Sequence, residues 1–324
     1  MNPLVVNSSS GVRLGEPERA LLATAEAQLV ERHCPTEEAL LEHAGEANAV
    51  LTLDEPFSAR VLAAMPHLRV ISRFGVGVDR IDLEVAHARG IVVANVPDYC
   101  VDEASDHALA LLLAVSRRLL PLHRSVVTGG WETQDVARDV RRLRGQVLGL
   151  VGFGRIGQRL AEKAAALGLQ VWAHDPYVPA ETMIVLGVRP ADFRTLLASS
   201  DILSLHAALT PETHHLLDGE TLRLLKRGAV LINVARGGLV EEGALVGALR
   251  EGHLAGAGLD VFELEPPPPD HPLLGLPNVV LTSHAAFYSQ EAVAEQRLRA
   301  VDNVVRVLDG RPPHHSIAAR RPTV

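Results

Sequence analysis

The run Val151-Gly152-Phe153-Gly154-Arg155-Ile156-Gly157, 18 positions before Asp175, limits this chain more than any other stretch. Residues 147–151 are apolar and read as a buried strand. Residues 158–167 read as a helix with Leu160, Ala164 and Leu167 on one face, and residues 170–174 read as a second strand ending at Asp175. The glycines between strand and helix have G-x-G-x-x-G spacing. The first allows a tight turn, the second lets backbone approach a pyrophosphate, and the third lets helix pack on strand, with the helix N-terminus facing the phosphates. A bare glycine-rich turn with no ligand is the alternative, and the complete strand–helix–strand–acid context argues against it. A carboxylate at Asp175 can accept hydrogen bonds from both adenosine ribose hydroxyls and repel the extra phosphate of NADP. Pro176-Tyr177-Val178 brings no Arg or Lys, so NAD is the expected coenzyme.

At 324 residues the chain can bury a large core and fill more than one domain. A net charge of −8 argues against nucleic acid as a polyanionic partner, and a 3% aromatic share disfavours base-stacking platforms. Cys34 and Cys100 are the only cysteines and form no C-x-x-C motif. No metal site or disulfide framework is expected, and a reducing cytoplasm is. The N-terminus lacks a basic region and a long apolar core, so it does not read as a signal peptide. The most apolar run, residues 108–115, is too short to span a membrane and reads as a buried helix.

Short apolar runs alternate with amphipathic stretches along the chain. Residues 4–6, 49–53, 69–72 and 91–94 read as strands, with helices at 18–31, 58–64 and 83–88. A second series has strands at 147–151, near 171, and at 202–205, 230–234, 256–261 and 279–281, with helices at 218–225 and 241–250. Both are βαβ series, hence parallel sheets flanked by helices. Residues 101–129 read as one long helical pattern joining them. Arg138, Arg141, Arg142 and Arg144 read as a solvated connector rather than an anion site. Residues 266–269, all proline, read as a rigid loop. The tail after Gly310 is expected to fray.

In an open parallel sheet, ligands bind beyond the carboxyl ends of the strands. His206, Arg236, Asp260 and His284 stand there in the second series. Arg236 follows an apolar strand and precedes two glycines, so its planar guanidinium can meet a carboxylate through two hydrogen bonds, or can form a structural salt bridge. His284 suits proton transfer near neutrality, and a carboxylate such as Glu265 would fix its tautomer. His206 reads as structural or as lining the cofactor site. The pair His214 and His215 reads as solvated surface without metal-ligand spacing.

Together these segments, from about Leu68 to Arg299, resemble the D-2-hydroxyacid dehydrogenase family. Arg73-Phe74-Gly75-Val76-Gly77-Val78-Asp79 resembles its substrate loop, and Leu209-Thr210-Pro211-Glu212-Thr213 its loop over the cofactor. Residues 233–238, 258–266 and 283–284 resemble its three catalytic segments. The resemblance implies two Rossmann-like/flavodoxin-like α/β domains with an active-site cleft between them, closed by hinge motion, in a homodimer. Residues 1–101 with 295–324 would be the substrate-binding domain and residues 102–294 the NAD-binding Rossmann domain. Arg236, Glu265 and His284 would be the catalytic set. Arg73, Val76, Gly77, Arg236 and Phe287 would meet the substrate. NAD(H) would be held by Gly152, Gly154, Arg155, Ile156, Gly157 and Asp175, and by Ala207, Thr213, Val234, Asp260 and His284, with Asp260 near the nicotinamide amide.

Asn95-Val96-Pro97-Asp98-Tyr99 and Ala285-Ala286-Phe287-Tyr288-Ser289 are similar to the C-terminal-binding-protein branch. Phe287 stands where the animal proteins have Trp, and Ser283 where Pro is commoner before the His. The implied reaction is reversible reduction of a 2-keto acid by NADH, and Phe287 favours an apolar substrate side chain. Two alternatives remain: an NADH-responsive interaction module with incidental turnover, and oxidation of another anion such as formate or phosphite.

Overall fold

The structure, a computed structural model, describes residues 2–9, 11–131 and 133–318. The chain divides into two compact units, Met1–Cys100 with Ser289–Val324, and Val101–Tyr288. Each is a parallel α/β sheet, as the sequence patterning implies.

In the first unit, β1 (Leu4–Asn7), β2 (Gln28–Glu31), β3 (Ala49–Thr52), β4 (Val70–Arg73) and β5 (Val92–Ala94) lie in the order β2-β1-β3-β4-β5. Side chains alternate across a strand, so Val6, Val50, Ile71 and Val93 share one core with Leu40, Phe57, Leu62 and Met65. The long helix Gln290–Leu308 packs on β3 and β4. Ser289 caps it, its hydroxyl accepting from the Ala292 N–H at 2.9 Å. This continuous helix contains the expected domain boundary at residue 295.

The second unit holds β6 (Val147–Val151), β7 (Gln170–His174), β8 (Arg189–Pro190), β9 (Ile202–Leu205), β10 (Ala229–Asn233), β11 (Leu254–Leu259) and β12 (Val279–Leu281), ordered β12-β11-β10-β9-β6-β7-β8. Alternation feeds two cores. Leu148, Leu150, Ile202, Val230 and Ile232 meet the helices Val101–Ser116 and Arg155–Ala166. Leu203, Leu205 and Leu231 meet the helices on the other face. Strand order reverses between β6 and β9, so a crevice opens where their carboxyl ends diverge.

Four sequence expectations need correction. The helix expected over residues 18–31 is Glu16–Thr24, and residues 28–31 form β2 instead. The alanine-rich stretch favours helix locally, but pairing of residues 28–31 with β1 overrides that preference. Glu26, at φ 53°, turns the chain between the two elements. The pattern over residues 101–129 is two helices, Val101–Ser116 and Leu119–Val127, broken at Arg118 with φ 54°. The first packs on β10 and β11 and so belongs to the second sheet. Leu167 caps its helix and is exposed rather than packed. The tail after Gly310 is tied down through residue 318: Ser316 bridges Ala94, and the Ile317 N–H donates to the Val93 carbonyl at 2.8 Å. Residues 319–324 lie outside the described part. Among the described residues, no helix is long and apolar enough to cross a membrane.

Candidate active site

The three glycines of the β6 turn divide their work as their spacing suggests. Gly152 has φ +88°, and a Cβ there would lie 2.6 Å from the His206 carbonyl carbon at the end of β9. A Cβ on Gly154 would touch nothing, leaving the turn open on that side, whereas one on Gly157 would meet the Gly152 oxygen at 2.7 Å. Arg155 and Ile156 begin a 12-residue helix with no acidic residue in its first turn. Its N-terminal amides therefore present uncompensated positive potential at the crevice. Asp175 ends β7. Its Oδ2 accepts from the Phe153 N–H at 2.8 Å and its Oδ1 from the Tyr177 N–H at 2.8 Å, so the carboxylate braces the glycine turn as well as facing outward. Beside it lies a hollow of ≈ 280 Å³ walled by Ala173, Val178, Met183, Pro190 and Ala191. This donor set, the helix terminus and the adjoining hollow, which Asp175 and Asp192 also line, fit a dinucleotide.

Across the switch point, His206 lies partly buried beside the turn. Its Nε2 meets Ser204 Oγ at 2.8 Å, its Nδ1 is buried without a partner, and burial pushes its pKa down to about 4. Burial thus favours the neutral ring there. Ala207 follows it. Thr213 closes the next loop on itself, its hydroxyl donating to the Ala208 carbonyl at 2.7 Å and accepting from the Thr210 N–H at 2.8 Å.

Beyond β10 and Val234, Arg236 is presented by a turn that Asn233 shapes. The Asn233 side chain accepts from the Ala235 N–H at 3.0 Å and donates to the Arg236 carbonyl at 2.9 Å. Gly237 must be glycine, because a Cβ there would lie 1.9 Å from the Phe262 carbonyl carbon. That close approach brings Arg236 near the loop after β11, which carries Glu265.

His284 and Glu265 touch: Nδ1 lies 2.6 Å from Oε2. Burial opposes ionisation of Glu265. The hydrogen bond and charge of His284, the Phe262 N–H and the Arg236 guanidinium outweigh it and hold the carboxyl below the usual range. A carboxylate on Nδ1 makes that nitrogen the donor and leaves Nε2 to exchange a proton. His284 has φ 52°, a backbone conformation that costs a non-glycine residue on the order of 1–3 kcal/mol. Asp260, at 0% exposed, is committed to the loop that imposes it. Its carboxylate accepts from the Ala285 and Ala286 N–H groups at 2.8 and 2.9 Å. Phe287 follows, its ring edge-on to Tyr288.

The remaining expected site residues lie in the first unit. Arg73, at the end of β4, has a side chain only 12% exposed and pairs with Asp54 at 2.9 Å. The N–H groups of Val76 and Gly77 make no hydrogen bond among the described residues. No group of three metal-binding side chains occurs among the described residues. Sequence reading missed Asn233, whose place before the turn was a usable signal, and Ser204, Thr282 and His107, which carried none.

A family model described as D-isomer specific 2-hydroxyacid dehydrogenase, NAD binding domain, matches residues 109–286. A D-3-phosphoglycerate dehydrogenase of Archaeoglobus fulgidus is 41% identical over 259 residues, 80% of this chain. The chain spans only 49% of that relative's length. A glyoxylate reductase of Korarchaeum cryptofilum is 39% identical over 285 residues, covering 86% of this chain and 85% of the reductase. The crystal structure of the TT0316 protein from Thermus thermophilus superposes with a TM-score of 0.86 at 37% identity, covering 98% of this chain and 100% of that one.

Proposed function

The chain belongs to the D-isomer specific 2-hydroxyacid dehydrogenase family, and from that premise we propose that it reversibly reduces a small, unphosphorylated 2-keto acid such as glyoxylate. The observation that carries this reading is the 2.6 Å contact between His284 and Glu265, with Arg236 close enough to bias the carboxylate. Arg236 binds the substrate carboxylate and stabilises charge on the C2 oxygen. His284 delivers the proton from Nε2 to that oxygen, and Glu265 holds the ring and stabilises its cationic form. Bound NADH supplies the hydride to C2. Gly152, Gly154, Arg155, Ile156 and Gly157 would hold its pyrophosphate, and Asp175 its adenosine ribose. Ala207, Thr213, Val234, Asp260 and His284 complete the proposed cofactor contacts. In the first unit, the Val76 and Gly77 amides are proposed to bind carboxylate as well.

An unphosphorylated substrate is favoured by Arg73, whose charge Asp54 engages, and by the fuller coverage of the glyoxylate reductase. Phe287 would face an apolar or minimal substituent. A homodimer is proposed because the helix Leu119–Val127 buries no residue and leaves Leu119, Val126 and Val127 exposed beside Trp131, 82% exposed. Two buried cysteines, neither in a disulfide, suit the reducing cytoplasm.

The test is NADH oxidation with a panel of 2-keto acids, and NAD reduction with D-3-phosphoglycerate. Turnover of glyoxylate or another small keto acid is expected, with little on the phosphorylated compound. Preference for the phosphorylated compound would overturn the substrate assignment. NADH binding without turnover on any member would favour an interaction module of the C-terminal-binding-protein kind.

A further inference from the structure

A buried polar knot joins the end of β11 to the loop after β12. Asp260 Oδ1 accepts from Thr282 Oγ1 at 2.5 Å and from the Ala285 N–H, its Oδ2 accepts from the Ala286 N–H, and its backbone carbonyl accepts from the His284 N–H at 2.7 Å. Three successive amides, 284–286, therefore hang on one residue, and the left-handed backbone at His284 lies among them. A carboxylate this deep is costly unless its oxygens are fully hydrogen-bonded or paired. Among the described residues, the only cation-capable side chain within ion-pair distance is His107. Its Nε2 lies 3.4 Å from Asp260 Oδ1 and 2.9 Å from Thr282 Oγ1. His107 comes from the helix Val101–Ser116, whose sheet-facing residues Ala104, Ala108, Leu111 and Leu112 form an ordinary apolar stripe. Core packing does not call for a histidine there.

We propose that His107 is a positioning residue: with Asp260 and Thr282 it locks the backbone at His284 and so aims the imidazole at Glu265. The catalytic consequence rests on the reaction proposed above, while the positioning itself does not. His107 bonds to Thr282 and Asp260 and acts through them.

The test compares the parent with His107→Leu and His107→Asn, with folding checked by circular dichroism and thermal melting. The direct readout is the NMR signal of the Nδ1–H proton shared by His284 and Glu265, assigned by its absence in His284→Gln. In His107→Leu that signal is expected to vanish or broaden while NADH affinity holds, and kcat to fall about ten- to hundredfold, as a misaimed catalytic group does. His107→Asn, which keeps a donor toward Thr282, should recover part of both. It also serves as the test should the leucine variant not fold. A folded variant with the signal and kcat unchanged would overturn the proposal. A parent without turnover, but whose signal disappears in the variant, would sink the proposed reaction and uphold the positioning role.

Discussion

Glu265 and His284 define each other. Because its folded pKa lies below the ordinary 4.5, Glu265 contributes stability that is fully present above that value and lost as pH falls through the depressed one. The pair should therefore survive mild acid, where reduction, which consumes a proton, is favoured. Keto-acid reduction is expected to hold or rise as pH drops from 7 to 5, read as kcat with saturating NADH. Glu265→Gln should lower kcat at pH 7 and make reduction rise more steeply toward pH 5, because the imidazole loses the carboxylate that favours its cationic form, and an unchanged profile would contradict the pairing role. Asp175 has two tasks, so Asp175→Ala should both raise the KM for NAD and narrow its advantage over NADP. A change in KM with discrimination intact would show that it only braces the Phe153 amide.

At the scale of elements, the close approaches matter most. Gly152→Ala combines φ +88° with a 2.6 Å clash and is expected to cost at least about 1–3 kcal/mol and to abolish NADH binding. Leu150→Ala in β6, whose side chain is fully buried, should cost about 2–5 kcal/mol in urea unfolding with coenzyme affinity largely kept. The β6 turn and the strand-end positions of Arg236 and His284 were legible because strand, glycine spacing and terminal acid are local patterns. The contact of His284 with Glu265 was an expectation only, since it depends on how two loops close. The first-unit strand at residues 28–31 was illegible because its partner β1 lies over twenty residues away, and local helix preference pointed the other way. His107 was illegible for the same reason: its partners Asp260 and Thr282 come from far along the chain.

The whole molecule carries two further consequences. His206 is neutral in the fold, with its pKa lowered from 6.5 to about 4. The unfolded chain takes up that proton near the ordinary value and the folded chain only near 4, so stability falls between them, by at most about 3 kcal/mol. His206→Asn should flatten the loss in urea midpoint between pH 7 and 4.5, and an equal loss in both proteins would show that other groups dominate. The homodimer proposed above would cover the exposed apolar residues of Leu119–Val127. Sedimentation should find a dimer that Val127→Glu, on an exposed position, weakens. The central claim, that His284 passes the proton in a keto-acid reductase, is tested most directly by the kcat of His284→Gln on the best keto acid beside its NADH dissociation constant. A fall of about 10²–10⁴ in kcat with NADH affinity retained is expected, and turnover near the parent rate would contradict it.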